Sequence, residues 1–316
     1  MKAVYASTVN HDDPLAALAV GEQPEPQARP FWSTVSVRAV TVNHHDVWSL
    51  QGVGLAAEQT PMILGTDAVG VLDEDIPGKH GLKAGSEVVL YTFVGTDGAG
   101  VAPGERRTIL SEKYPGTMAE KTAVPSANVF AKPANLTTAE AAALGTSWLT
   151  AYSLLFDAAG IKPGDSVLIQ GAGGGVSTAA IQLAHAAGLE VFVTSRDADK
   201  RAKALKLGAN AALETGARLP RKVDAVIESV GAATWGHSVR SVRGSSPWGR
   251  PHGAIRCGRC VPAAPSPSAA PPPATSPVRS SRDCSSRTFA CRAAPWVRAR
   301  ISPGCCASWS TPTCIR

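Results

Sequence analysis

The chain has 316 residues, 44% of them hydrophobic and 18% charged, with a formal net charge of +6. That length suffices for two domains and a sizeable core. No apolar run reaches the length of a membrane helix, and the start MKAVYASTVNHDD lacks the basic-then-apolar layout of a secretory signal, so a cytoplasmic protein with no membrane partner is expected.

The averages conceal a break near Arg243. All seven cysteines fall after it, no lysine follows Lys222, and Asp283 is the only acid in 244–316. Ten arginines against that one acid leave the tail at +9, while the remaining 21 basic and 24 acidic residues leave 1–243 at −3. The main body is mildly acidic and free of cysteine, and nothing in it suggests a nucleic-acid partner.

Residues 1–125 read as short strands and turns, a β-rich domain. STVSVRAVTVN alternates like a strand, PMILGTDAVGVLDE is a strand interrupted by Gly65 and Gly70, and GLKAGSEVVLYTF is a glycine-marked turn leading into another. Residues 126–243 change style. TTAEAAALGTSWLTAYSLLFDAAG opens with a threonine cap, carries Glu140 in its first turn and has helical apolar spacing. DSVLIQ, EVFVTS and VDAVIESVG are compact buried strands, separated by the helices VSTAAIQLAHAAG and DADKRAKALKLG. Strands alternating with helices in this way predict right-handed βαβ units on a parallel α/β sheet.

The turn GAGGG between the first of these strands and its helix is the main functional signal. Glycines there let the backbone approach a pyrophosphate, and the helix N-terminus supplies free N–H groups and the positive end of a dipole. Ala172, Gly173, Gly174, Gly175, Val176 and Ser177 are therefore the expected phosphate cradle. The next strand ends about 20 residues on, where the ribose is read. It ends in Thr194-Ser195-Arg196, with Lys200 a turn later. An acid at this point would favour NAD; Ser195, Arg196 and Lys200 suit a 2′-phosphate, so NADP is expected.

With these residues in hand the chain resembles the medium-chain dehydrogenase/reductase superfamily, in its quinone-oxidoreductase-like, zinc-independent branch. The resemblance covers about residues 1–243. It is carried by MKAV, TVNHHD, PMILGTDAVG, GSEVVLYTF, GTMAEKTAVP, LTTAEAAALGTSWLTAY, KPGDSVLIQGAGGGVSTAAIQLA and DAVIESVG. It implies a GroES-like catalytic domain (1–125), a Rossmann domain (126–243) and a site in the cleft between. Zinc-dependent relatives place a cysteine at Asn43 and a His-Glu pair at Thr66-Asp67, and no cysteine occurs in 93–115, where a structural zinc lobe would fall. His44 and His45 are sequence neighbours that on a strand would point to opposite faces, so they are read as ordinary loop or surface histidines and not as a metal pair. No metal is expected. The resemblance also implies that Thr150 lies near the nicotinamide and that Val230 and Gly231 line the cofactor path. Ser177 stands where many relatives have the third glycine of the fingerprint, a substitution expected to be tolerated. Without zinc, the reaction would be hydride transfer from NADPH to a quinone or an activated alkene. Asn43, Thr66 and Tyr114 are the candidate hydrogen-bond donors to the substrate oxygen, with water an alternative and Tyr114 open to reading as a packed aromatic.

After Arg243 the pattern stops. The Pro-, Ser-, Ala- and Arg-rich sequence has no period of either kind, and disorder is expected. Its composition is that of GC-rich coding DNA read out of frame. Moved back by one nucleotide, the Trp296-Val297 codons force a glycine and the Cys305-Cys306 codons force a leucine. Asp283 to Cys306 can then be read as a segment of the family containing Phe-Phe-Lys and Gly-Ser-Thr-Met-Gly-Thr. On that reading 244–316 is an aberrant tail, the Rossmann sheet is truncated, the strand the family uses to dimerise is lost, and activity is in doubt. The alternative is a non-enzymatic protein whose Cys/Arg tail binds metal or nucleic acid. CGRC at 257–260 has half of a zinc-ribbon spacing, without a second pair.

Overall fold

A computed structural model describes residues 1–229 other than 28, 79, 80, 96, 100 and 102–105, together with 241 and 254–257. It divides into two units, Met1–Leu149 and Thr150–Arg316.

The first unit is built from antiparallel strands. β1 (Lys2–Ala6) lies between β2 (Leu18–Glu22) and β4 (Met62–Ile63). A five-stranded sheet contains β3 (Trp32–Ala39), β5 (Val69–Leu72), β6 (Glu87–Leu90), β9 (Lys121–Pro125) and β10 (Val129–Ala131), in the order β10-β6-β5-β3-β9. The predicted alternation places Val35 of β3 in a core with Leu72, Val88, Leu90, Val94, Leu110 and Val124, all fully or almost fully buried. Gly70 is required here by space: a Cβ would fall 2.4 Å from the Ser36 carbonyl oxygen on the neighbouring strand.

A hairpin of β7 (Phe93–Gly95) and β8 (Arg107–Ile109) occupies the region where cysteines would form a structural zinc lobe. It is fastened through apolar side chains and a Trp32 Nε1 hydrogen bond to the Gly98 carbonyl at 2.7 Å.

The strand expected over STVSVRAVTVN stops at Ala39, and the loop expected at His44 and His45 is a helix. His44–Leu50 forms the helix α1. The cause is local: Asp46, three residues after Asn43, folds its carboxylate back onto the Asn43 N–H at 2.7 Å and closes the first turn. His44 and His45 are thus successive residues of a helix. His44 packs edge-on against Trp48, with ring centroids 5.0 Å apart. The His45 side chain is only 13% exposed and lies 3.5 Å from Glu112 Oε1.

The predicted helix after Thr137 forms, and its cap is the expected one. Glu140 Oε2 accepts from Thr137 N–H at 2.9 Å, while Thr137 Oγ1 accepts from Glu140 N–H at 3.3 Å. The element is not uniform. α2 (Thr138–Ala142) opens into a π-helical turn, Leu144–Trp148; α3 (Leu149–Tyr152) follows, then a second π-helical turn, Ser153–Ala158. Such widened turns often mark functional positions.

The second unit carries a parallel sheet of β11 (Ser166–Gln170), β12 (Glu190–Thr194), β13 (Ala211–Leu213), β14 (Ala225–Glu228) and β15 (Ala254–Cys257), in the order β13-β12-β11-β14-β15. α4 (Gly175–Ala186) and α5 (Ala198–Lys206) connect the strands where the sequence predicts helices. The central strands are buried on both faces, as their continuous apolar runs require. β15 corrects one expectation. No regular element was expected after Arg243, yet Ala254–Cys257 pairs in parallel with β14, because the edge of β14 offers unsatisfied backbone groups that a short extended segment can meet.

Candidate functional site

In the first unit the polar residues that replace a metal-binding set are drawn together. The centre is Asp67, fully buried just before β5. Its Oδ1 accepts from Thr41 N–H at 3.1 Å, and Thr41 Oγ1 lies 2.8 Å from both carboxylate oxygens. Asn43 Nδ2 donates to Asp67 Oδ2 at 3.1 Å and lies 3.3 Å from Thr66 Oγ1. Thr66, also fully buried, shares a 2.9 Å hydrogen bond with Thr146 Oγ1 from the first π-helical turn. Ser147, the next residue on that turn, donates to Asn43 Oδ1 at 3.5 Å. Burial raises the Asp67 pKa from its ordinary 3.8, and hydrogen bonds from Thr41, Thr146 and Asn43 pull it back only in part.

Two further residues fix this cluster. Asp46 Oδ1 accepts from the Gly65 N–H at 3.1 Å, so one buried carboxylate joins the start of α1 to the turn bearing Thr66. Gly65 has φ +93°, and a Cβ there would fall 2.6 Å from Thr117 Oγ1, so the turn requires glycine. Burial also raises the Asp46 pKa, opposed by the Asn43 N–H and the nearby His45.

Of the three expected donors, Asn43 and Thr66 meet in this cluster. Tyr114 instead belongs to the apolar core, 8% exposed, its ring 5.1 Å from Trp32 and beneath the Arg29 guanidinium at 5.6 Å. Thr41, Asp46, Asp67, Thr146 and Ser147 escaped the sequence reading as members of the cluster. The Asn43–Asp46 interval was a usable signal, being a capping spacing.

Zinc takes thiolate, imidazole or carboxylate ligands at short range. Here the converging groups are an amide, four hydroxyls and one carboxylate whose oxygens are already engaged by Thr41 and Asn43. The set does not fit zinc. Among the described residues no three His, Cys, Asp or Glu side chains are grouped to hold a metal.

In the second unit the glycine turn has the form the sequence predicts. β11 ends at Gln170, whose side chain accepts from Thr194 Oγ1 at the end of β12. Gly171 (φ +78°) and Gly173 (φ +96°) reverse the chain, and Gly174 precedes the first residue of α4. The N–H groups of Gly171 and Ala172 are spent on the Thr194 carbonyl, at 3.0 and 2.9 Å. Gly173, Gly174 and Gly175 are exposed, and the first-turn N–H groups of α4, including that of Val176, have no carbonyl partner within the helix. Ser177 is buried and replaces a glycine without disruption. Its hydroxyl accepts from Gly174 N–H at 3.1 Å and sits 2.8 Å from the Gly171 carbonyl oxygen, so it braces the turn. An exposed glycine surface before a helix N-terminus fits the phosphates of a dinucleotide.

Ser195 and Lys200 border the same turn. Ser195 is 7% exposed and its Oγ accepts from Asp197 N–H at 3.2 Å. The Lys200 stem crosses Gly173, so that a Cβ there would fall 2.7 Å from Lys200 Cδ. Arg196 is exposed. The nearest acid, Asp197, is occupied in capping α5, accepting from Asp199 and Lys200 N–H at 2.9 and 3.1 Å. The Lys200 N–H leads the causes that hold its pKa below 3.8. Thr150 is buried in α3. Val230, Gly231 and 283–306 lie outside the described residues.

The sequence matches the alcohol dehydrogenase GroES-like domain over residues 29–134 and the zinc-binding dehydrogenase domain over 175–245. It is 30% identical over 230 residues to a crotonyl-CoA reductase of Streptomyces avermitilis, an alignment covering 65% of this chain and 52% of that one. The chain thus spans about half the length of the curated relatives it first matches. Among solved structures it is similar to an NAD-dependent alcohol dehydrogenase (31% identity, TM-score 0.70, covering 81% of this chain and 77% of that one). It is also similar to the quinone oxidoreductase of Coxiella burnetii (25% identity, TM-score 0.66, covering 81% and 75%). No helix among the described residues is long and apolar enough to cross a membrane. With a GroES-like β unit, a parallel Rossmann sheet and a glycine turn between β11 and α4, the chain belongs to the medium-chain dehydrogenase/reductase superfamily of nicotinamide-dependent oxidoreductases.

Proposed function

We propose that the protein is a zinc-independent, NADPH-dependent oxidoreductase that passes hydride to a quinone or to an alkene activated by a carbonyl. The observation that carries this reading is the hydrogen-bonded cluster of Asn43, Thr66, Asp67 and Thr146, whose donors do not suit zinc. A reaction without a Lewis acid favours acceptors whose own conjugation delocalises the incoming charge. The quinone oxidoreductase and crotonyl-CoA reductase among its relatives are in keeping with that class.

The bound nicotinamide would supply the hydride. Gly173, Gly174, Gly175 and the N-terminus of α4 would receive the pyrophosphate, with Ala172, Val176 and Ser177 shaping the turn. Ser195, Arg196 and Lys200 would receive a 2′-phosphate, Ser195 by its hydroxyl proton and the other two by charge. Asp197, the acid next in sequence, is engaged through Oδ1 in capping α5. Thr150 is assigned to the nicotinamide end, and Val230 and Gly231 to the path from adenosine to nicotinamide.

The test is NADPH oxidation by the full chain with 1,4-benzoquinone and 2-cyclohexenone as acceptors, with and without a chelator. Turnover that resists chelation is expected. Absence of any thermal shift with NADPH would count against the cofactor site.

The frame-displacement reading of 244–316 is part of the same proposal. It rests on the composition break at Arg243 and the leucine and glycine codons recovered by a one-nucleotide shift. Sequencing independent clones tests it: an uninterrupted frame would exclude a sequencing error, and a chain repaired by one nucleotide that melts no higher than the present one would speak against displacement by mutation.

A further inference from the structure

The orientation of the Asn43 amide decides which group of the cluster is left to act. Asn43 Nδ2 faces the Asp67 carboxylate (3.1 Å), the Thr41 carbonyl (3.3 Å) and the hydroxyls of Thr41 and Thr66. A carbonyl accepts and never donates, and so does an ionised carboxylate. Turning the amide over would set its oxygen against the oxygens of both Asp67 and Thr41. Thr41 N–H and Oγ1 already donate to Asp67, which holds that carboxylate as an acceptor. The Asn43 amide protons therefore face Asp67 and Thr41, which leaves Oδ1 facing the Ser147 hydroxyl.

Thr66 is fully buried and its hydroxyl is shared with Thr146 at 2.9 Å. Ser147 differs from both. It is half-buried, and its hydroxyl reaches Asn43 Oδ1 at 3.5 Å, the outer limit of a hydrogen bond. The π-helical turn Leu144–Trp148 brings the successive side chains of Thr146 and Ser147 to the same cluster. Gly145 permits this approach, since a Cβ there would lie 2.8 Å from the Leu90 carbonyl oxygen and 2.9 Å from Asp67 Cβ. An acceptor at closer range and better angle would draw the Ser147 proton from Asn43 at little cost.

We propose that Ser147, rather than Asn43 or Tyr114, is the hydrogen-bond donor to the carbonyl oxygen of the substrate, with Asn43 Oδ1 holding the serine hydroxyl in place until that oxygen arrives. The inference rests on the carbonyl-acceptor reading above. As hydride adds to the substrate carbon, two electrons enter the conjugated system and its oxygen gains negative charge. Ser147 stabilises that charge by donation without surrendering its proton, and the proton that completes the product comes from water. The bound nicotinamide would supply the hydride and its two electrons, so electrons and atoms balance.

The test uses the full chain and three forms: wild type, Ser147→Ala and Ser147→Thr. With NADPH and 2-cyclohexenone, Ser147→Ala should lose about a hundredfold in kcat with an unchanged NADPH Kd, and Ser147→Thr should retain most activity. A kcat for Ser147→Ala within about twofold of wild type would overturn the proposal. A second measurement does not require turnover. The carbonyl stretch of bound carbonyl-labelled 2-cyclohexenone should shift to lower frequency in wild type and return toward the value in water-free solvent in Ser147→Ala. Equal frequencies in the two proteins would overturn the assignment even if the enzyme were inactive. A wild-type shift without turnover would uphold the donor and sink the oxidoreductase reading.

Discussion

The carboxylate of Asp46 accepts the Gly65 N–H at 3.1 Å, and with its other oxygen it holds the Asn43 N–H at 2.7 Å. One side chain thus sets the spacing between the two segments that carry Asn43 and Thr66. Replacing it by alanine leaves two largely buried N–H groups without their acceptor. Asp46→Ala should destabilise the protein by about 2 kcal/mol, the cost of an unmet buried donor together with a lost helix cap. A urea midpoint unchanged from wild type would contradict this role.

The pH dependence of stability should carry the signature of Asp67. Burial, its largest perturbation, places the native pKa above 3.8. Between 3.8 and that raised value the native state holds a proton that the unfolded state has released. Stability from this group therefore increases as pH falls through the raised value, and the contribution is absent above it. Asp67→Asn removes the titration. The stability of wild type relative to Asp67→Asn should grow as pH is lowered from 7 toward 4; a difference that stays flat or shrinks would reverse the sign.

The sheet of the second unit is legible because β11 and β12 are each a buried apolar run followed by a helix with its own stop signal, and β14 is a third such run. The glycine turn was legible for the same reason: DSVLIQ and VSTAAIQLAHAAG leave only GAGGG between them. Much less of the polar cluster could be read. Thr41, Asp67 and Thr146 are far apart in sequence and meet only where the π-helical turn and the segments flanking β3 and β5 come together, and no periodicity reports a tertiary hydrogen bond. His44 is exposed, as a surface histidine should be, but His45 is largely buried beside Glu112, because the Asn43–Asp46 spacing starts a helix where the sequence reads a loop. Ser147 was hidden in a stretch whose apolar spacing reads as regular helix, since a π-helical turn leaves no composition of its own. Ala254–Cys257 was missed because four residues are too few to show alternation within a Pro- and Arg-rich surround.

Gly173 provides a probe of the dinucleotide turn itself. Its φ of +96° strains any other residue by about 1–2 kcal/mol, and an added Cβ would meet the Lys200 stem. Because Gly173 is exposed, the fold should tolerate Gly173→Ala. Its binding of NADPH and NADH should weaken together, each by about tenfold, since both share the pyrophosphate. Calorimetric titration measures this directly, and unaltered binding of both would remove the turn from the cofactor site.

Arg196 and Lys200 should behave differently from Gly173. Their expected ligand is the 2′-phosphate, which NADPH has and NADH lacks. A charge-assisted hydrogen bond contributes about 1.5–3 kcal/mol, so Arg196→Ala and Lys200→Ala should each raise the Kd for NADPH by roughly tenfold or more. Neither should alter the Kd for NADH by more than about twofold. The two sites also predict different salt responses: NADPH affinity should fall with ionic strength more steeply in wild type than in either variant, because both cations lie near solvent. Lys200 carries the stricter test, since its stem also covers Gly173. If Lys200→Ala weakened NADPH and NADH equally, its ammonium would serve the pyrophosphate, and the cofactor preference would rest on Ser195 and Arg196 alone.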